Sequence, residues 1–317
     1  MFKKLITILI SMVLVLSLGS MVSAQETFTI GYQVQDLGNQ YWITLADGVK
    51  DKAAEMDNVE VTVRDARTDP AVELSNVQDL ITQGIDLLLL SPWDSNSGAT
   101  VVEEANKAGI PVIVLDIGVS SGDIESFLVS NNYGGGQKAG EYMAELLEGE
   151  GQVGHIQCQP GYELLDARGN GFVDVVTEEG IEVVATQPGD SQRSKGMTVM
   201  QNMATANPDI DGVFCENDEM ALGALEALNS SRMLDQVEVI GFDGTDEAIQ
   251  AVKEGRMTAT VAQQPYKMGQ MGVELAVEVL NGNDIENEIQ VPVQLITKEN
   301  VDEFIDCLLY TSPSPRD

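Results

Sequence analysis

The chain is poor in the residues on which much enzyme chemistry depends. It has one histidine, His155, and three cysteines in 317 residues. That leaves a zinc site or a Ser-His-Asp triad little to work with, and it excludes a disulfide scaffold. No phosphate-binding Walker loop is present. Cationic side chains are scarce: 17 Lys and Arg stand against 51 Asp and Glu, a formal net charge of -34. Such a surface repels nucleic acid and anionic membranes. It stays soluble in strong salt, where self-repulsion is screened, which points to a salt-adapted source. Beyond the N-terminus no segment is apolar enough to span a bilayer.

The two ends differ from the body. Phe2-Lys3-Lys4, the apolar stretch Leu5–Leu18 and the small residues Val22-Ser23-Ala24 have the layout of a secretory signal, with cleavage expected before Gln25. No cysteine follows the apolar core, which argues against a lipid anchor. At the other end, Cys307–Asp317 breaks the style of the chain. One codon choice for its first six residues, TGTCTCTTATACACATCT, spells a transposase sequencing adapter, so residues 307–317 are expected to be an artefact. Setting both ends aside removes three basic residues and one acidic residue, so the body is relatively more acidic still.

The body, Gln25–Asp306, is long enough for two domains of ordinary size. Strand patterns at Phe28–Val34, Val59–Arg64, Leu87–Leu90, Val112–Leu115 and Phe127–Val129 are interleaved with helical patterns at Tyr41–Met56, Val72–Gln83 and Gly98–Ala108. The second half repeats the scheme. Strands are predicted at Val153–Gln157, Ile181–Thr186, Gly212–Cys215, Val237–Phe242 and Thr258–Ala262, between helices Gln137–Leu147, Asp166–Glu179, Ser194–Ala206, Met220–Leu228 and Asp246–Lys253. A last helix, Tyr266–Leu280, and one strand around Val291–Ile296 complete the reading. This alternation predicts two similar α/β domains, each a doubly wound parallel sheet covered on both faces, with a cleft between them. Asn131–Gly136 reads as a loose, turn-rich crossing between the halves.

Many predicted strands end on a carboxylate or amide. Leu87–Leu90 runs into Ser91-Pro92-Trp93-Asp94, Val112–Leu115 ends on Asp116, Gly212–Cys215 runs into Glu216-Asn217-Asp218, Val237–Phe242 ends on Asp243, and Thr258–Ala262 ends on Gln263 and Gln264. In open parallel sheets ligands bind in the crevice outside the carboxyl ends of the strands. The repetition therefore suggests a site assembled from many strand ends, although any one polar strand end is more often mere solvation. Asn39-Gln40-Tyr41-Trp42 puts two aromatic rings at a strand-to-helix turn. Rings cover the apolar C–H face of a sugar while directed polar groups bond its hydroxyls; two core aromatics are the plainer alternative. Gly134-x-Gly136-x-x-x-Gly140 misses the dinucleotide fingerprint by one residue and does not directly follow a strand. His155, inside a predicted strand, reads as structural. Cys158 and Cys215 end strands expected to be neighbours, so two buried free thiols close together are expected.

Seven segments in order carry a resemblance: Ala46-Asp47-Gly48, Asn76–Leu80, Ile110–Asp116, Val199–Asn202, Glu216–Leu225, Gly241–Thr245 and Ala259–Gln263. Through them Gln25–Asp306 resembles the periplasmic ribose-binding protein family, the substrate-binding components of ABC importers. The resemblance implies a type I periplasmic binding protein fold: two α/β domains joined by three strands that close on a sugar. It implies a first domain of 25–130 plus 264–291 and a second of 131–263 plus 292–306. Carried over by position, the sugar contacts are Asn39 and Asp116 as hydroxyl partners, Tyr41 and Trp42 as stacking platforms, and Arg168 as a cationic donor from the second domain. Asn217, Asp243 and Gln263 complete the ring. Three positions depart from the ribose binders: Gln35 for a serine, Ile117 for an arginine after Asp116, and Ser191 for a phenylalanine platform. These departures leave a monosaccharide or cyclic polyol as the implied ligand and put ribose itself in doubt.

The implied protein is periplasmic, performs no chemistry and needs no cofactor. It works as a monomer with a membrane permease as partner and a chemotaxis receptor as a further candidate. Two rivals are the sugar-sensing domain of a lac-repressor-like regulator and an exported glycosidase using two carboxylates. The signal sequence, the missing helix-turn-helix and the negative charge oppose the first. Turnover of a chromogenic glycoside would favour the second.

Overall fold

A computed structural model describes residues 27–159 and 163–305; the signal sequence and residues 306–317 lie outside the described residues. The first half of the chain lays down β1 (Phe28–Val34), α1 (Gln40–Ala54), β2 (Val59–Asp65), α2 (Pro70–Gln83), β3 (Leu87–Leu90), α3 (Ser95–Lys107), β4 (Val112–Leu115) and β5 (Ser126–Ser130). The chain then crosses to build α4 (Asn132–Leu146), β6 (Gln152–Gln157), α5 (Glu163–Glu178), β7 (Glu182–Pro188), α6 (Arg193–Ala206), β8 (Gly212–Cys215), α7 (Asp218–Ser231), β9 (Glu238–Asp243), α8 (Asp246–Lys253) and β10 (Ala259–Ala262). It returns through α9 (Pro265–Leu280) and β11 (Glu288–Val291), and crosses once more into β12 (Gln294–Thr297).

Two six-stranded sheets result, ordered β2-β1-β3-β4-β5-β11 and β7-β6-β8-β9-β10-β12. This is a type I periplasmic binding protein fold: two doubly wound domains of matching strand order, joined by three crossings. The first sheet is parallel throughout, whereas β12 runs antiparallel to β10 at the edge of the second. The short central strands show why the sheets hold. Leu87, Leu88, Leu89 and Leu90 are all fully buried; Leu87 and Leu89 join one apolar cluster with α1 and α9, Leu88 and Leu90 the opposite cluster with α2 and α3. Each such side chain contributes about 1.5–3 kcal/mol of burial. Among the described residues, no helix is long and apolar enough to cross a membrane.

Two expectations are corrected. Asn131–Gly136 is not a loose passage: Asn131 caps α4 by accepting from Gly134 N at 2.9 Å, and the glycines lie in the helix. They are there for close approach, since a Cβ on Gly136 would fall 1.9 Å from the Arg168 carbonyl oxygen of α5. The single strand around Val291–Ile296 is two strands on different sheets. Pro292 lacks the N–H that a continuous ladder needs, and its carbonyl accepts instead from Gln264 Nε2 at 2.9 Å, beside another crossing. The thiol expectation holds: Cys158 and Cys215 are free and buried.

Candidate functional site

The carboxyl ends of the second sheet carry an interlocked polar group centred on Arg168. This arginine sits in the second turn of α5 and is only 6% exposed. It can lie there because α4 and α5 touch through glycine. Its Nε donates to Asn132 Oδ1 at 2.8 Å. One terminal nitrogen, Nη1, donates to the Glu216 carbonyl at 2.8 Å and to Asp243 Oδ1 at 3.0 Å. The guanidinium carbon stands 3.9 Å above the centre of the fully buried Phe242 ring, a cation–π contact. Asp243 Oδ1 also accepts from Gln263 Nε2 at 2.8 Å, and Gln263 Oε1 accepts from Ser130 Oγ at 2.7 Å. Ser130 ends β5 of the first sheet, so this last bond joins the two domains at a crossing. Below, Glu216 is buried between His155 Nε2 (2.9 Å) and the Cys158 N–H (2.6 Å), so the sole histidine belongs to the support of the site rather than its surface.

The first sheet presents a sparser group. Tyr41 Oη donates to Asp116 Oδ1 at 2.5 Å. Its ring meets Trp42 edge-on, centroids 4.9 Å apart, and Trp42 itself packs into the domain core. Asn39 is spent locally, its Oδ1 capping α1 through Tyr41 N at 2.9 Å. Asn217 likewise caps α7 through Met220 N at 3.0 Å. Gln35 donates to the Trp93 carbonyl at 3.0 Å. Ser191, with φ at 58°, turns its hydroxyl to the Cys158 thiol, which burial pushes up to about 12. Ile117 packs against the core.

Asp116 and Asp243 occupy corresponding places, the ends of the fourth strands laid down in their sheets, and both have left-handed backbones, φ 70° and 118°. Side chains other than glycine adopt this region at a cost and it concentrates at functional sites. The two groups lie near enough for Asp116 to respond to Arg168 and Asp243 of the other sheet. Burial raises the Asp116 carboxyl, while Tyr41 and then Arg168 of the other domain oppose the rise. Burial likewise raises Asp243, opposed first by Arg168. Burial, then Asp116, holds the Tyr41 hydroxyl well above its usual range, so it remains a donor. The arrangement offers acceptors from both sheets, one guanidinium and aromatic surface, which suits a neutral polyhydroxylated ligand. Among the described residues no cluster could hold a metal ion.

Thus Arg168, Asp243 and Gln263 come together as one network, Tyr41 and Asp116 as another, with Trp42 beside them. Asn39 and Asn217 stand beyond strand ends as helix caps, Gln35 bonds the Trp93 carbonyl of the neighbouring turn, and Ser191 bonds the Cys158 thiol. Sequence reasoning missed Asn132, Ser130 and Phe242. Phe242 closes the predicted strand Val237–Phe242 next to Asp243, and Asn132 lies in Asn131–Gly136, whose glycines give a loop signal.

Two wound sheets with polar strand ends facing each other across three crossings define a hinged ligand-binding protein. The chain belongs to the periplasmic binding protein family: the pattern described as "Periplasmic binding protein domain" matches residues 30–284. It is 40% identical over 297 residues to the ribose import binding protein RbsB of Salmonella typhimurium, covering 94% of this chain and 99% of the relative. Among solved structures it resembles an ABC transporter solute binding protein of Bacillus halodurans with bound myo-inositol, at TM-score 0.74 and 32% identity over 88% of this chain and 97% of that one. It also resembles a periplasmic solute binding protein of Actinobacillus succinogenes with bound D-allose, at TM-score 0.76 and 28% identity over 87% of this chain and 100% of that one.

Proposed function

We propose that the protein is the sugar-binding component of an ABC importer, which captures a monosaccharide or cyclic polyol by hinge closure and delivers it to a membrane permease. The observation that carries this reading is the pairing of Asp116 and Asp243, one strained strand-end carboxylate from each sheet, close enough across the cleft to influence each other. A ligand bonded by both sets stabilises only the closed state, and that difference drives closure. The relatives' names support a sugar as the ligand. The contacts in this reading are Gln35, Asn39, Tyr41, Trp42, Asp116, Arg168, Ser191, Asn217, Asp243 and Gln263, with domain boundaries at 25–130 plus 264–291 and 131–263 plus 292–306. On binding, Asn39 and Asn217 keep their caps through Oδ1 and use their amide nitrogens on the sugar. The chain performs no catalysis, is exported to the periplasm after cleavage before Gln25, and acts as a monomer, with a chemotaxis receptor as a second docking partner.

Ile117 and Ser191 favour a hexose or cyclic polyol over a pentose. Ile117 supplies no donor fork, and Ser191 leaves open a place that a large ring would fill. The test is titration calorimetry of the full chain with D-ribose, D-allose and myo-inositol. Saturable binding of one sugar per chain is expected for at least one of them; no heat from any of the three would contradict the reading.

A further inference from the structure

Trp93 is the one tryptophan the site as described leaves unused, and it is 39% exposed. It lies in the turn that follows β3, which runs between β1 and β4 in the first sheet. Those two strands lead into the turns that bear Gln35, Asn39 and Tyr41 on one side and Asp116 on the other. The Trp93 turn is bound to both. Gln35 Nε2 donates to its carbonyl at 3.0 Å. On the far side, Ser120 N donates to the Ser95 carbonyl at 2.9 Å, and Pro92 and Val119 close together over Gly98, where a Cβ would lie 2.8 Å from each.

Beneath the turn is a carboxylate that the sugar contacts do not use. Glu73, from α2, is fully buried. Its Oε2 accepts from the Trp93 backbone N–H at 3.0 Å and from Ser97 Oγ at 3.4 Å. Its other oxygen has no partner among the described residues. A buried carboxylate costs free energy unless it is hydrogen-bonded, and the shorter of the two bonds it makes here holds the backbone of an exposed tryptophan. Both the N–H and the carbonyl of Trp93 are therefore held, while its indole remains open to solvent. An isolated exposed apolar side chain needs no explanation; one pinned at both backbone groups, between two ligand-bearing turns, does.

We propose that Trp93 is a further specificity-determining contact of the sugar site, an aromatic platform on the rim of the first domain, and that Glu73 is the positioning residue that holds it there. The inference rests on the sugar-binding reading above. A third ring beside Tyr41 and Trp42 extends the apolar surface available to a six-membered ring, whose C–H face is broader than that of a furanose.

The experiment uses two sets of variants of the full chain. Calorimetry with D-ribose, D-allose and myo-inositol compares wild type, Trp93→Phe and Trp93→Ala. Trp93→Ala should weaken the best-bound probe roughly five- to tenfold, while Trp93→Phe retains most of the affinity. Trp42 is only 6% exposed against 39% for Trp93, so acrylamide quenching of the otherwise unaltered chain reports mainly Trp93. That quenching should fall when the bound probe is added. Without any sugar, quenching should rise in Glu73→Ala and return towards the starting value in Glu73→Gln, which keeps an acceptor oxygen. Unchanged affinity in Trp93→Ala would overturn the contact while leaving sugar binding intact. Unchanged quenching in Glu73→Ala would overturn the positioning role. Failure of wild type to bind any probe would remove the sugar reading and the contact with it.

Discussion

The two halves of the molecule share a strand order but prepare their shares of the cleft differently. At the end of β9, Asp243 is held by Arg168 and Gln263, and Arg168 is itself tied to Asn132, to the Glu216 carbonyl and to the Phe242 ring. At the end of β4, Asp116 has Tyr41 as its side-chain partner. The second domain's groups are fixed before a ligand arrives, so little ordering is left to oppose binding. The first domain's groups sit on turns joined mainly through backbone atoms, where a substitution such as Ile117 alters ligand preference without disturbing a network. Affinity should therefore depend most on the second domain and discrimination on the first.

The largest effect expected from this contrast is at Asp243. Asp243→Ala removes an acceptor from the sugar and strands Arg168; two charge-assisted bonds of about 1.5–3 kcal/mol each amount to more than roughly a hundredfold in affinity. Asp116→Ala, at the corresponding place, should cost less, on the order of tenfold to fiftyfold, because no buried cation is left behind. Calorimetry on both decides; equal losses would break the contrast.

Glycine contacts sharpen it. A Cβ at Gly48 would fall 2.1 Å from the Tyr266 carbonyl between α1 and α9, and one at Gly136 would fall 1.9 Å from the Arg168 carbonyl between α4 and α5. Alanine at either place should lower stability by roughly 1–3 kcal/mol through overpacking. Only Gly136→Ala should also weaken sugar binding at temperatures where both variants are folded, since it displaces the helix that carries Arg168. Denaturant melts with parallel titrations separate the two effects.

For ligand choice, affinity for D-ribose should be at least about tenfold below that for the better of D-allose and myo-inositol, the loss expected for about one missing charge-assisted bond. Tight ribose binding with no gain for either alternative would return the first domain's turn to an ordinary ribose site.

A smaller effect concerns pH. Burial pushes Glu73 in the first domain up to about 7 and also raises Asp218, which is buried in the second against Thr245 and Thr260. Both folded forms hold their protons more tightly than the unfolded chain does. Stability from these groups is thus fully present below the unfolded carboxylate range near pH 4 and is lost as pH rises towards 7. Glu247 and Asp302, whose carboxyls are lowered by Arg193 and Lys253 respectively, act in the opposite sense at more acid pH. Thermal melts without sugar should therefore decline from pH 5 to pH 8, and Glu73→Gln should flatten part of that slope.

Most of the fold was legible because its strands are mainly apolar segments between amphipathic helices; Phe28–Val34, Leu87–Leu90, Val112–Leu115 and Gly212–Cys215 match their predicted bounds. What was not legible depended on tertiary contact. Glycines at 134–136 look like a loop until a neighbouring helix needs the space, and one apolar run around Pro292 conceals a change of sheet. The aspartates could be identified from their places at strand ends. The support beneath Asp243, Asn132 and Phe242 around Arg168, could not, nor could Glu73 beneath Trp93, because nothing local distinguishes a buried partner from an ordinary helix or strand residue.

The central claim is that one ligand joins both domains. Small-angle scattering of the chain with and without a saturating concentration of its best-bound sugar tests it most directly. The account predicts a smaller radius of gyration in the bound state, and no such change in Asp243→Ala at the same sugar concentration. An unchanged radius in the wild-type chain, with calorimetry showing the site filled, would contradict closure as the means of capture.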